Sequence, residues 1–169
     1  MRIITGSARG TKLATLEGDA TRPTTDRVKE ALFSMIQFDI EGRNVLDLFG
    51  GCGQLALEAL SLGAAKATII DQSRDATNII IENAKKTHLF DRCRISTADY
   101  TSFIRGAAKK EKYDIIFLDP PYNTGLLHAS LKALHDAELF APGAYIVCET
   151  DCDIPSKAPA LRGRTSSEI

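Results

Sequence analysis

Short apolar runs alternate with longer amphipathic ones along most of this chain, and that alternation limits its fold more than any other feature. "NVLDLF" (Asn44–Phe49), "KATIID" (Lys66–Asp71), "RCRIST" (Arg92–Thr97), "YDIIFLD" (Tyr113–Asp119) and "GAYIVCE" (Gly143–Glu149) read as strands. Between them "QLALEALSLG", "RDATNIIIENAKKTHL" and "GLLHASLKALHDAEL" space their apolar residues at helical intervals. No helix is read between Thr97 and Tyr113. Strands that alternate with helices imply an α/β fold: a doubly wound, mostly parallel sheet covered on both faces. Right-handed crossovers then bring ligands to the carboxyl ends of the strands. Those ends are where functional residues are to be sought.

The length of 169 residues suits one such domain. Residues 41–169 are expected to form the core, preceded by an extension over residues 1–40. In that extension "RIITGSARGTKL" is expected to form a hairpin, and "TRPTTDRVKEALFSMI" a loop leading into a helix capped by Thr25 or Asp26. The net charge of -1 gives no whole-molecule case for binding a polyanion. Charge is nonetheless unevenly spread. Met1–Leu16 carries Arg2, Arg9 and Lys12 without an acid, and Ser156–Ile169 carries Lys157, Arg162 and Arg164 against Glu168 alone. Both ends are suited to phosphate contact. The cysteines Cys52, Cys93, Cys148 and Cys152 lack CxxC spacing, so free thiols and no metal site are expected. No stretch has the length of an apolar membrane span, and "MRIITGSARG" lacks the apolar segment of a secretory leader. A cytoplasmic protein without membrane partners is the expectation.

Two stretches carry chemistry. The first, "LDLFGGCGQLALEA", sets Asp47, Phe49, Gly51 and Gly53 across a strand-to-helix turn. Glycines tighten such a turn and let a ligand approach the backbone, while the helix N-terminus offers unpaired N–H groups. Asp71 ends the next strand about twenty residues on, where a carboxylate accepts ribose hydroxyls, and Gln72 follows it. Asp99, with Tyr100 beside it, lies past the third strand, where it could accept from an adenine amino group or simply be a solvated loop acid. A nicotinamide dinucleotide and S-adenosylmethionine both fit a ribose-binding strand end. Asp47 would repel a pyrophosphate and attract a sulfonium or an ammonium, which favours S-adenosylmethionine.

The second stretch, "LDPPY", ends the fourth strand on Asp119, Pro120, Pro121 and Tyr122. Two prolines fix their own φ and bias the residue before them, so this corner is rigid. Asp119 and the Pro120 carbonyl can accept both hydrogens of an exocyclic amine, pull its nitrogen toward a pyramidal form and aim it at a methyl group. Tyr122 can stack on the base of a nucleotide flipped into the pocket.

"DLFGGCG", Asp71 and "LDPPY" together resemble the class I S-adenosylmethionine-dependent methyltransferases that act on amines. "RIITGSARGTKL" followed by "TRPTTDRVKEALFSMI" closely resembles the RsmD-like family, and the resemblance runs to about Glu149. It implies a Rossmann-like fold and methylation of the N2 amine of a guanine in small-subunit ribosomal RNA, free or in an assembling subunit. It also implies that Arg22, Thr24, Asp26 and Arg27 lie near the active site and the RNA, with Arg9 in the basic N-terminal stretch. Without the resemblance, Asp26 and Arg27 read as a pair tethering the first helix. Two features depart from the family: Gly50, Cys52 and Ala56 replace a small residue, a serine and a glycine, and "APALRGRTSSEI" has no strand pattern where relatives add a final pair of strands. The sheet is therefore expected to lack that pair. Three other readings compete: an amino-methyltransferase of DNA or of another RNA, a non-catalytic RNA-binding or assembly factor that keeps the fold, and a nicotinamide oxidoreductase, disfavoured by Asp47.

Overall fold

The computed structural model describes residues 1–16, 26–121 and 125–149. Helix α1 (Asp26–Ile36) leads into β1 (Asn44–Asp47), α2 (Gln54–Ser61), β2 (Lys66–Asp71), α3 (Arg74–Lys86) and β3 (Cys93–Thr97). Then come α4 (Tyr100–Ala107), β4 (Tyr113–Leu118), α5 (Leu126–Asp136) and β5 (Phe140–Cys148). The strands form one five-stranded sheet in the order β3-β2-β1-β4-β5, every pair parallel. The order reverses between β1 and β4, and at such a switch point the strand ends open a crevice. Asp47, closing β1, lies in register between Ile69 and Phe117, so the ends of β1, β2 and β4 meet there.

Neighbouring residues of one strand point to opposite faces, and the core divides accordingly. Val45, Ile69, Ile115 and Phe117 pack under α1, α2 and α3, with Phe33, Leu57, Leu60 and Ile80. Leu46, Ile70, Ile116 and Leu118 pack under α4 and α5, with Phe103, Ile104, Leu131 and Leu134. The buried strands therefore read as continuous apolar runs rather than alternating ones, as parallel strands covered on both faces do.

The N-terminal hairpin forms around one antiparallel bridge, Arg2 to Lys12, with backbone bonds from the Ile3 N–H to the Thr11 carbonyl, the Gly10 N–H to the Ile3 carbonyl and the Leu13 N–H to the Met1 carbonyl. Two expectations change. Helix α4 has no counterpart in the sequence reading; it is short, is capped by Asp99, and buries only Phe103, Ile104 and Ala107. β5 begins at Phe140, earlier than Gly143, with an irregularity in its pairing between Tyr113 and Ile115. The stretch on which the final strand pair was judged absent lies outside the described residues.

Side chains of α2, together with those backbone bonds, hold residues 1–16 in place. Glu58 is wholly buried; its Oε1 accepts from the Ile4 N–H at 2.6 Å and its Oε2 from the Thr5 hydroxyl at 3.2 Å. The equally buried Lys29 of α1 puts its Nζ 3.3 Å from the same carboxylate and donates to the Arg2 carbonyl. Ser61 accepts from the Ala8 N–H at 2.9 Å and donates to the Thr5 carbonyl at 2.6 Å. At Gly6, φ is +79° and an added Cβ would lie 2.0 Å from the Ser61 carbonyl oxygen, so this close approach demands glycine.

Candidate active site

The crevice at the switch point is a cavity of about 600 Å³. The turn after β1, the end of β2, the start of α4 and the corner after β4 line it, and Met1, Thr15 and Leu16 close one side. Apart from that N-terminal side, the contributors sit at strand ends and helix starts, where the parallel topology gathers them.

The turn after β1 is built by its glycines. Gly51 and Gly53 have φ of +60° and +83°, and Gly53 starts α2 as its N-cap. Gly50 packs so closely that a Cβ would lie 2.6 Å from Ile69 Cγ2. Gly53 lies against Ile80 and shapes the turn from beneath without lining the cavity. The Gly51 N–H donates to Asp71 Oδ2 at 3.0 Å, and the Ser73 N–H to Asp71 Oδ1 at 2.9 Å. Each Asp71 oxygen thus keeps a lone pair for a ligand hydroxyl. Gln72, exposed, lines the cavity beside it.

Asp47 is 2 % exposed, and its Oδ1 has no hydrogen-bond partner. Burial, then the neighbouring Asp119 and Asp71 carboxylates, push its pKa up to about 8 against the pull of the Phe49 and Ala56 backbone N–H groups. Asp119 is raised to about 7 by burial and by Glu149. The cavity thus gathers four carboxylates, Asp47, Asp71, Asp99 and Asp119, and among the described residues no Lys, Arg or His side chain lines it. A cation relieves that repulsion and a pyrophosphate aggravates it. The sulfonium and ammonium of S-adenosylmethionine fit this donor set.

Asp99 and Tyr100 also face the cavity. Asp99 is not a free loop acid: it caps α4, accepting from the Thr101 N–H at 3.1 Å and from the Thr101 hydroxyl, bonds that lower its pKa. The Tyr100 ring stands 5.7 Å from that of Phe49, tilted by 45°, and the two make an aromatic wall. Pro120 is buried and Pro121 exposed, so the corner is anchored on one side and open on the other.

The proposed RNA-contacting residues are less gathered. Asp26 pairs with Arg2, Nε to Oδ2 at 3.2 Å, rather than with Arg27. Arg27 and Arg9 are exposed, and neither lines the cavity. Arg22, Thr24 and Tyr122 lie outside the described residues. Sequence reasoning missed Gln54 and Asn83. Gln54 lines the cavity at 8 % exposure, and its signal was a long polar side chain opening an apolar helix. Asn83, wholly buried on α3, accepts from the Ala14 N–H at 2.8 Å and donates at 2.9 Å to the carbonyls of Ala14 and Cys52. It ties the N-terminal segment to the glycine turn, and no spacing in the chain announces it.

A parallel sheet that puts a glycine turn, a strand-end acid and an Asp-Pro-Pro corner around one anionic crevice is the architecture of the Rossmann-like methyltransferases. Residues 1–165 match the family described as conserved hypothetical protein 95. The chain belongs to that family, the RsmD-like family. It is 38% identical over 153 residues to ribosomal RNA small subunit methyltransferase D of Escherichia coli K12, covering 90% of this chain and 76% of that protein. It is 37% identical over 155 residues to YlbH of Bacillus subtilis 168, covering 91% and 84%. The solved structure of HI0767 from Haemophilus influenzae superposes with a TM-score of 0.79 at 30% identity, over 94% of this chain and 86% of that one.

Proposed function

We propose that this chain transfers a methyl group from S-adenosylmethionine to the exocyclic N2 amine of a guanine in small-subunit ribosomal RNA, in the cytoplasm. The observation that carries the reading is the placement of Asp119, on a rigid proline corner, at the mouth of the crevice that holds Asp47 and Asp71. The relatives named as small-subunit ribosomal RNA methyltransferases support the substrate class.

In this reading Asp71 accepts the ribose hydroxyls, the Phe49 and Tyr100 rings flank the base, and Asp47 faces the positive end. The cofactor supplies an electrophilic methyl group on a sulfonium. Asp119 and the Pro120 carbonyl accept the two amine hydrogens, and Tyr122 stacks on the guanine. As the nitrogen–carbon bond forms, the sulfur–carbon bond breaks, and the methylated amine then sheds a proton toward Asp119 and water. No covalent enzyme intermediate is needed, because orientation alone supplies roughly 7–11 kcal/mol of such a barrier. Arg9, Arg22 and Arg27 hold RNA phosphates, while Thr24 and Asp26 position the segment that carries them.

The test is transfer of labelled methyl to small-subunit RNA, free and in subunits, followed by nucleoside analysis. N2-methylguanosine is the expected product. Labelled methyladenosine, or label in DNA, would redirect the assignment to another amine. RNA binding with neither cofactor binding nor transfer would leave a binding factor.

A further inference from the structure

Helix α2 buries three polar side chains, Gln54, Glu58 and Ser61. Residues 4–8 bind Glu58 and Ser61. Gln54 differs: at 8 % exposure its Oε1 has no partner among the described residues, and it lines the cavity. Packing does not require an amide there, since Leu55, Ala56 and Leu57 beside it are apolar and buried. A buried acceptor without a partner weakens the fold unless something arrives to donate to it. A second orphaned oxygen, Asp47 Oδ1, lines the same cavity. Both orphans are acceptors, one on a carboxylate and one neutral. A group with several N–H donors and a positive charge satisfies the pair, and an ammonium is such a group.

We propose that Gln54 is a ligand-positioning residue that, with Asp47, receives the α-ammonium of the cofactor's amino-acid moiety and so selects ligands bearing that amine. The proposal rests on the S-adenosylmethionine reading above and adds a residue and a selectivity to it.

The test measures equilibrium binding of S-adenosylhomocysteine, its desamino analogue and its decarboxylated analogue to the whole chain and to two variants. Gln54→Met keeps the length of the side chain and removes the acceptor; Gln54→Glu keeps an acceptor oxygen. The wild-type chain should lose at least about tenfold in affinity when the ligand loses its amine, as expected for a hydrogen bond to a charged group. In Gln54→Met that preference should shrink by about tenfold, with the preference for the carboxylate unchanged, and Gln54→Glu should keep the amine preference. An amine preference undiminished in Gln54→Met overturns the proposal. So does an effect that falls on the carboxylate instead, which would mean the amide presents its NH2 to the ligand. Should Gln54→Met not fold, a wild-type chain indifferent to the amine, or Gln54→Glu losing the preference, overturns it equally. A wild-type chain that binds none of the three ligands removes the cofactor reading itself, a different failure from a chain that binds them without regard to Gln54.

Discussion

Replacing Asp47 by asparagine should make the ligand-free protein more stable at neutral pH and leave it unchanged in acid. Asp47 carries a pKa of about 8 in the fold, raised first by burial and then by Asp119. In the unfolded chain an aspartate titrates near ~3.9. Between those values the folded state holds a proton that the unfolded state has released. Stability is therefore full below about pH 4 and falls as the pH rises toward 8. The slope for one group is about 1.4 kcal/mol per pH unit. At pH 7 the wild-type chain has lost on the order of 4 kcal/mol from Asp47 alone, given its folded pKa of about 8. Asparagine is isosteric with the protonated acid and does not titrate, so the Asp47→Asn curve should rise above the wild-type curve progressively from pH 5 to pH 8. Urea unfolding at intervals across that range, read as the difference between the two proteins, is the assay. Asp119 titrates in both, and its repulsion with Asp47 is part of the difference between the curves. Saturating S-adenosylhomocysteine should reverse the order, because its ammonium stabilises the carboxylate and has less to gain from an amide. Two curves that stay parallel from pH 5 to pH 8 would refute the account of Asp47 as a carboxylate held out of water.

Methyl transfer should rise with pH through about 7, as Asp119 loses its proton and becomes a full acceptor for the amine; a kcat/KM profile flat between pH 6 and 8 would remove it from that role. Asp119→Ala should abolish transfer while S-adenosylhomocysteine affinity stays within about twofold, and a variant that still turns over would do the same. Lys29→Met should destabilise the fold by about 3–5 kcal/mol, since it leaves the buried Glu58 carboxylate without its cation; a loss below about 1 kcal/mol in chemical unfolding would show that the N-terminal bonds suffice. Asp71→Ala should weaken the same ligand at least about tenfold, and unchanged affinity would end the ribose assignment.

The sites that were legible in the sequence are those fixed by the repeat of strand and helix. Asp47, Asp71 and Asp119 sit at or next to strand ends, and a parallel sheet brings such ends together whatever the loops do. Long-range partners were not legible. Asp26 meets Arg2 rather than its neighbour Arg27, and nothing in local spacing encodes a pair whose partners approach only after folding. Lys29, in the first turn of α1, is wholly buried because Glu58 comes from a helix on the core. Helix α4 was missed because its eight residues give too few turns for a period to declare itself. The one cue is Asp99, which by sequence reads as a base contact or a solvated loop acid and in the fold is the cap.

Helix α2 does two jobs with one set of buried polar residues. Gln54 opens onto the cavity, and Glu58 and Ser61 grip residues 4–8. Asn83 repeats the arrangement from α3, joining Ala14 to the Cys52 carbonyl of the glycine turn. The N-terminal segment is thereby a wall of the cavity, through Met1, Thr15 and Leu16, as well as the lead into the arginine-bearing stretch. A substitution among residues 1–16 that lowers methyl transfer thus has two routes open to it, loss of an RNA contact or displacement of that wall. Only the first leaves S-adenosylhomocysteine affinity intact. Arg9, exposed and away from the cavity, should follow the first route, with an effect that changes with salt. Thr15 and Leu16 should follow the second, with an effect that does not.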